Sequence, residues 1–410
     1  MTKLEKNILK KTEERLPLIF FLGISICGFL LRYFMRNISA SHDTADFIKW
    51  YGRIVEAGGL FHMGEAKMGY SAMYKLALTF MTYLPLEPIY AVKLLSGSFD
   101  YVLALAAAWI TYLVSTGEKG NFFAYIKNIF TAKENKADVS LMVYALVLCS
   151  PVCALNSAAW GQCDSIYAAF IMLSIGQLIR ERNISSFVLL GFAFSFKLQA
   201  VFILPFFVFY WFYKKSFSVL HFLEVPAVFF LTSLPNTLTG GDAGRAVTTY
   251  SRQTSVTTQM YSRYPSFWCF LTDEHAGDFE DFYRYRLFAM VFCVVVLACI
   301  MYAFIKKIKY MNMENTVSAA FILSYATVLF LPSMLERYGY VYEMLAIVAA
   351  ARDKRYIIPA AALHVLTLYE YGDSLGRAML PVPLAFVSWI NIILFAYCLI
   401  TFMKRQDNPS

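Results

Sequence analysis

The sequence predicts an all-α polytopic membrane protein, and three observations carry that prediction. Fifty-nine per cent of the 410 residues are hydrophobic and only 16% are charged, with a mean hydropathy of +0.53. A soluble domain is about half apolar and about a quarter charged, so a water-soluble fold of this length would lack the side chains to cover its surface. Apolar stretches of roughly 20 residues recur along the chain, each long enough to cross a hydrocarbon core of about 30 Å. The basic residues fall in short clusters between these stretches, the positive-inside pattern, so the net charge of +8 is a mark of topology and not of a nucleic-acid partner. Residues 1–410 are expected to form one transmembrane unit, because helices packed in one bilayer share one core.

The first 15 residues, MTKLEKNILKKTEER, are basic and amphipathic and are expected in the cytoplasm. Residues 16–35 form the first span. They are too long for a signal-peptide core, and Arg36 follows with no small-residue cleavage site. Residues 36–70 are a polar interruption in which SHDTADFIKWYGRIVEAGG has helical spacing and stops on Gly58-Gly59. This segment is expected to be a juxtamembrane helix at the outer surface.

Apolar segments follow at 71–85, 89–115, 139–158, 163–179, 184–198, 199–213, 217–238, 286–305, 315–333, 339–351, 356–371 and 379–403, for 11 to 13 membrane helices in all. Lys119, Lys127, Lys133 and Lys136 mark one cytoplasmic loop. Arg180 with Arg182, Lys214 with Lys215, Lys306 with Lys307 and Lys309, and Arg352 with Lys354 and Arg355 mark others, and Lys404 with Arg405 puts the C-terminus on the same side. Two full crossings between 71 and 115 would break this parity. The short 71–85 run, which carries Lys75, is therefore expected to be re-entrant or interfacial. No internal repeat is visible.

This topology sends four polar features to one external face: residues 36–70, the turn at 160–165, the long loop 239–285, and the helix end at 331–338. Asp43 and Asp46, spaced i, i+3, share a helix face continued by Trp50 and Arg53, and His42 stands beside Asp43. A carboxylate at an apolar boundary is desolvated, which makes it a better base. A solvated i, i+3 pair that caps the helix is the plainer reading of those two aspartates.

Trp160-Gly161-Gln162-Cys163-Asp164-Ser165, preceded by Asn156-Ser157, is a polar break between apolar runs. Polar backbone at membrane depth is tolerated only inside protein or along a cavity. Asp164 could be the N-cap of the next helix, but a cap alone does not call for Trp, Gln and Asn beside it. Lys197 lies between two apolar runs beside Gln199, where snorkelling competes with a functional role. Asp100 is similarly placed, and Lys93, two turns earlier on the same helix, is its expected partner.

Glu336-Arg337-Tyr338 follows Pro332 at a span end, and the planar fork of Arg suits a phosphate. Arg245, Arg252, Tyr261, Arg263, Tyr264 and Trp268 in the long loop suit a phosphate-bearing sugar or a membrane-interface belt. The eight Cys show no metal spacing, although Cys163 and Cys269 fall on one face where a disulfide would be permitted. No phosphate loop, H-E-x-x-H or G-x-S-x-G motif occurs.

Taken in order, S-H-D-T-A-D-F-x-x-W-Y, N-S-A-A-W-G-Q-C-D-S, F-K-L-Q-A and M-L-E-R-Y resemble the bacterial relatives of the second mannosyltransferase of GPI-anchor assembly. Those are integral-membrane glycosyltransferases of the GT-C class, and the resemblance covers most of the chain. It implies a GT-C-like fold in a bacterial plasma membrane, with the active site facing outside. It implies transfer of a hexose, mannose by the family name, from a polyprenyl-phosphate donor to a glycan or glycolipid acceptor, with inversion, in the assembly of a cell-surface polysaccharide. The expected general base is Asp43, with Asp46 as its substitute. His42, Gln162, Asp164, Lys197, Gln199, Arg263, Glu336, Arg337 and Tyr338 would bind substrate, Arg337 and Lys197 at the donor phosphate. Relatives often carry His before E-R-Y; here Leu335 stands there. A metal-free inverting mechanism is the expectation, with a divalent metal as the alternative, since carboxylates at 43, 46 and 164 could hold Mg²⁺. The competing readings are a transporter or flippase of a lipid-linked or small polar substrate, and a non-catalytic scaffold of an assembly complex. Transporters bind near the membrane midplane between repeated halves, and neither feature is visible here.

Overall fold

A computed structural model of the chain describes residues 1–38, 42–131, 138–256, 259–271, 279–376 and 382–407. The protein is an all-α, multi-pass membrane protein. In chain order the α-helices are α1 (Lys3–Met35), α2 (His42–Ala57), α3 (Ala72–Met81), α4 (Pro88–Thr116), α5 (Phe122–Thr131) and α6 (Asp138–Leu148). Then come α7 (Pro151–Ala154), α8 (Asp164–Ile179), α9 (Asn183–Phe196), α10 (Leu204–Lys214), α11 (Glu224–Leu238), α12 (Ala243–Val247) and α13 (Thr249–Val256). The last five are α14 (Phe279–Lys307), α15 (Met313–Phe330), α16 (Tyr340–Ala350), α17 (Ile357–Gly376) and α18 (Leu384–Asp407).

Among the described residues, six helices are long and apolar enough to cross a bilayer: α1, α4, α11 with the turn before it, α14, α15 and α18. The pair α6–α7 with residues 155–160, bent by 41° at its break, has the length and apolarity of a seventh if its two halves are counted as one span. Four shorter apolar segments, α8, α9, residues 198–214 and α16, fall below that length, so among the described residues six or seven helices of crossing length stand where 11 to 13 membrane helices are expected from the sequence. They are short because polar residues interrupt them at Asp164, Lys197 and Tyr340. The 71–85 run forms α3, whose 10 residues rise about 15 Å, half a hydrocarbon core. It does not cross, and α4 carries the crossing between 71 and 116.

Burial divides the helices into layers. The apolar window of α15 is 83% buried, whereas that of α1 is 17% buried. Large apolar side chains on α1, α11, α14 and α18, such as Phe29, Leu231, Val294 and Ile393, stand exposed and form the lipid-facing surface.

The basic clusters gather at one end of the bundle. Lys119 pairs with Glu181 at 3.0 Å, Arg405 pairs with Glu314 at 2.7 Å, and Arg352 donates to Ser115 at 3.4 Å. Helices α4, α8 and α15 lead from that end to the opposite one, where α2 and the polar segments lie. Helix α2 stops where expected, at Gly58 with φ +101°, a backbone region closed to most side chains. Its buried face of Phe47, Tyr51 and Ile54 packs on the 70s segment, with Phe47 and Trp50 against the rings of Tyr74 and Tyr70.

One interior expectation is corrected. Asp100 pairs with Arg32 of α1 at 2.7 Å, not with Lys93. Seven residues on one helix lie about 10 Å apart along the axis, and Lys93 instead donates to the carbonyls of Arg36 and Ile38. Cys163 and Cys269 are both free and buried, Cys163 beside the Tyr70 hydroxyl and Cys269 beside Ser266.

Candidate active site

Residues 155–160 form a π-helical turn that ends at Gly161, with φ +78°. Such turns are rare and recur at functional sites. Here the turn lets the Gln162 amide bond the Asn156 carbonyl at 2.9 Å, which brings Asn156, Trp160, Gln162 and Asp164 into one compact knot. Asp164 is the first residue of α8 and not its cap; Cys163 holds the cap position with no side-chain bond. The carboxylate is fully buried and accepts from Lys197 Nζ at 2.5 Å and from Asn156 Nδ2 at 2.9 Å. Lys197 stands in extended backbone between α9 and the 198–203 turn, and its side chain is buried on Asp164, so it does not snorkel.

Helix α2 is tied to this knot at its N-terminus. Thr44 Oγ1 donates to the Trp160 carbonyl at 2.9 Å, and Gln162 Nε2 donates to Asp43 Oδ2 at 2.6 Å. The Asp43 side chain keeps 41% of its surface exposed. It is an oriented carboxylate with open access.

Arg337 completes the cluster. After α15 ends, Pro332 leads to Ser333 in the left-handed region at φ +64°. The Ser333 backbone N–H donates to Met260 O at 2.7 Å and its hydroxyl to Gln259 O at 2.8 Å. Strand β2 (Met334–Leu335) then pairs in parallel with β1 (Tyr261–Ser262). The long polar loop thus clamps the segment that presents Arg337.

The guanidinium sits over the Trp160 ring at 5.3 Å from its centroid. Its Nη1 donates to Glu336 Oε1 at 2.8 Å, its Nη2 lies 3.6 Å from Asp43 Oδ2, and its Nε lies 4.0 Å from Asp164 Oδ2. Burial by itself would lower the pKa of Arg337, but the carboxylates of Glu336, Asp43 and Asp164 outweigh it and hold the group cationic well beyond its ordinary range. Tyr338 packs on Phe202 and lies against the Gln199 side chain.

No protein-family model matches this chain, and no curated protein is significantly similar to it.

The residues predicted from sequence divide clearly. Asp43, Gln162, Asp164, Lys197, Glu336 and Arg337 meet in one connected network, with Gln199 and Tyr338 at its edge. Asp46 does not join it: the side chain is half exposed and faces Lys49 at 3.7 Å. Arg263 also stays outside the cluster, beside β2, with a bond to Ser374 at 3.2 Å. The side chain of His42 lies outside the described residues. The carboxylates considered for Mg²⁺ do not fit a cation, because Asp46 faces away and Asp164 already accepts from Lys197 and Asn156.

Sequence reasoning missed Tyr371 of α17, whose hydroxyl accepts from Asn156 at 3.1 Å and whose ring packs on Trp160. It also missed Arg32, although an arginine inside a span is a signal in its own right. Arg32 holds Asp100, which accepts from Ser157 of the same π-helical turn.

Proposed function

We propose that the protein is a membrane glycosyltransferase that moves a hexose from a polyprenyl-phosphate donor to a hydroxyl of a glycan or glycolipid, with Asp43 as general base. The observation that carries this reading is the connection of Asp43, Gln162, Asp164, Lys197 and Arg337. These residues come from four segments spread over almost 300 positions, and they are the residues of the four motifs on which the GT-C resemblance rests.

The chemistry follows from the geometry. Gln162 and Arg337 both approach Oδ2 of Asp43, which orients the carboxylate. An acceptor hydroxyl at hydrogen-bond distance would pass its proton to Asp43 as its oxygen attacks the anomeric carbon, and the lipid phosphate would leave with the electrons of the broken C–O bond. Arg337 and Lys197 are both paired with carboxylates. They set the arrangement of Asp43 and Asp164, and in this arrangement neither is a spare cation for the donor phosphate. The membrane as the home of the donor, the outward-facing site and a bacterial plasma membrane belong to the same proposal.

The test is Asp43→Asn in proteoliposomes supplied with a polyprenyl-phosphate sugar. Loss of a general base costs about 10²–10⁴-fold in rate, and transfer is expected to fall by that much. Unchanged transfer rejects Asp43 as the base. A vectorial flux that survives the substitution favours the transporter.

A further inference from the structure

A cleft of about 380 Å³ lies between the last turns of α2, the 67–69 turn and the α12–α13 pair. Four of its lining residues are cations, Arg53, Lys67, Arg245 and Arg252, and none is a carboxylate. Lys67 and Arg245 also line a neighbouring cavity of about 190 Å³, together with the buried Lys75. Among the described residues, no carboxylate lies at ion-pair distance from Arg53, Lys67 or Arg245. The second cavity, unlike the cleft, also carries two acidic residues: Glu65, which bonds His62 at 3.0 Å, and Asp242, which accepts from the Arg245 backbone N–H at the head of α12.

The walls of the cleft are built and not loose. Arg53 Nη1 donates to the Lys67 carbonyl at 2.8 Å, and Gln253 Nε2 donates to the Gly69 carbonyl at 2.9 Å. Burial, reinforced by the charge of Arg245, pushes the Lys75 ammonium down to about 8. The cleft stands at the end of the bundle opposite the basic clusters. Membrane topology depletes Lys and Arg there, so these cations are not orientation signals.

We infer that this cleft is a binding site for a phosphate-bearing group. Four cations lining one cleft that no carboxylate lines match the charge of a phosphate or diphosphate, and the Arg fork matches its acceptors. Arg53 lies ten residues beyond Asp43 on the same helix, about 15 Å along its axis. Arg53 also lies seven residues beyond Asp46 and shares its face of α2, so the cleft is a site separate from the Asp43 network. The inference does not depend on glycosyl transfer, and binding can be measured without donor or acceptor.

The full-length protein in detergent is titrated with inorganic pyrophosphate by calorimetry, and the phosphatidylglycerol that it retains after extraction is measured by mass spectrometry. Both are repeated on Arg53→Gln/Arg245→Gln, with thermal melting to verify folding, and on Lys67→Gln, an exposed side chain whose loss leaves packing intact. Two exposed charges are together worth about tenfold in affinity, and the double variant is expected to bind pyrophosphate about tenfold more weakly, with a flatter salt dependence. Weakened pyrophosphate binding with lipid retention unchanged identifies a soluble phosphate-bearing ligand. Lost lipid retention identifies an anionic headgroup. Pyrophosphate binding and lipid retention that match wild type in the folded variants, or the absence of both from wild type, overturn the inference.

Discussion

Lys197 and Asp164 show how two residues act as one. Each is buried, and the two neutralise one another at 2.5 Å, with Asn156 and Arg337 also beside Asp164. Breaking a buried pair leaves an uncompensated charge and costs about 3–5 kcal/mol, whereas replacing both partners can be neutral. Lys197→Met is therefore expected to lower the melting temperature in detergent sharply, and adding Asp164→Asn is expected to restore most of it. If the single variant melts like wild type, the pair does not hold the knot together. Asp43 is the contrasting residue: partly exposed, oriented by Gln162 and Arg337, and not required by packing. Its substitution should spare stability and strike function.

At the scale of the element, close packing of α4 on α8 aims the Asp164 end of α8 at the site. A Cβ added at Gly176 of α8 would lie 2.2 Å from the Trp109 ring of α4, and overpacking of this kind costs about 1–3 kcal/mol. Gly23, on the lipid side of α1, has open space around it. Gly176→Ala should lower the melting temperature while Gly23→Ala leaves it unchanged or raises it slightly; equal effects would mean that α4 and α8 do not pack so closely. The helical stop of α2 at Gly58-Gly59 and the shortness of α3 could be anticipated from residue types alone. The π-helical turn at 155–160 could not, because the sequence there reads equally well as an α-helix followed by a loop. The extra residue per turn is accepted because Gly161 takes a left-handed conformation and Asn156 and Gln162 close the knot.

At the scale of the molecule, the basic clusters and the Asp43 network occupy opposite ends of one bundle. Cysteines introduced at Glu181 and Gly244, both exposed, should therefore be labelled from opposite sides of the membrane. A membrane-impermeant maleimide is expected to reach Gly244→Cys in intact cells and Glu181→Cys only after permeabilisation, with the native cysteines as background. Labelling of both from one side would undo the assignment of the ends. The cationic cleft, between α2, the 67–69 turn and the α12–α13 pair, lies at the same end as the Asp43 network.

Hydropathy, length and charge spacing determined by themselves that the chain is a multi-pass helical membrane protein, where its long helices run, and which four segments share one end. Those properties are additive along the chain and can be read residue by residue. Only the tertiary structure decided which polar residues meet. It separated Asp43 from Asp46, joined Lys197 to Asp164, gave Asp100 to Arg32 and drew Tyr371 against Trp160. The physical reason is that a buried charge must find a counter-charge. The choice depends on distances across helix interfaces of a few ångströms, which spacing along one helix does not contain.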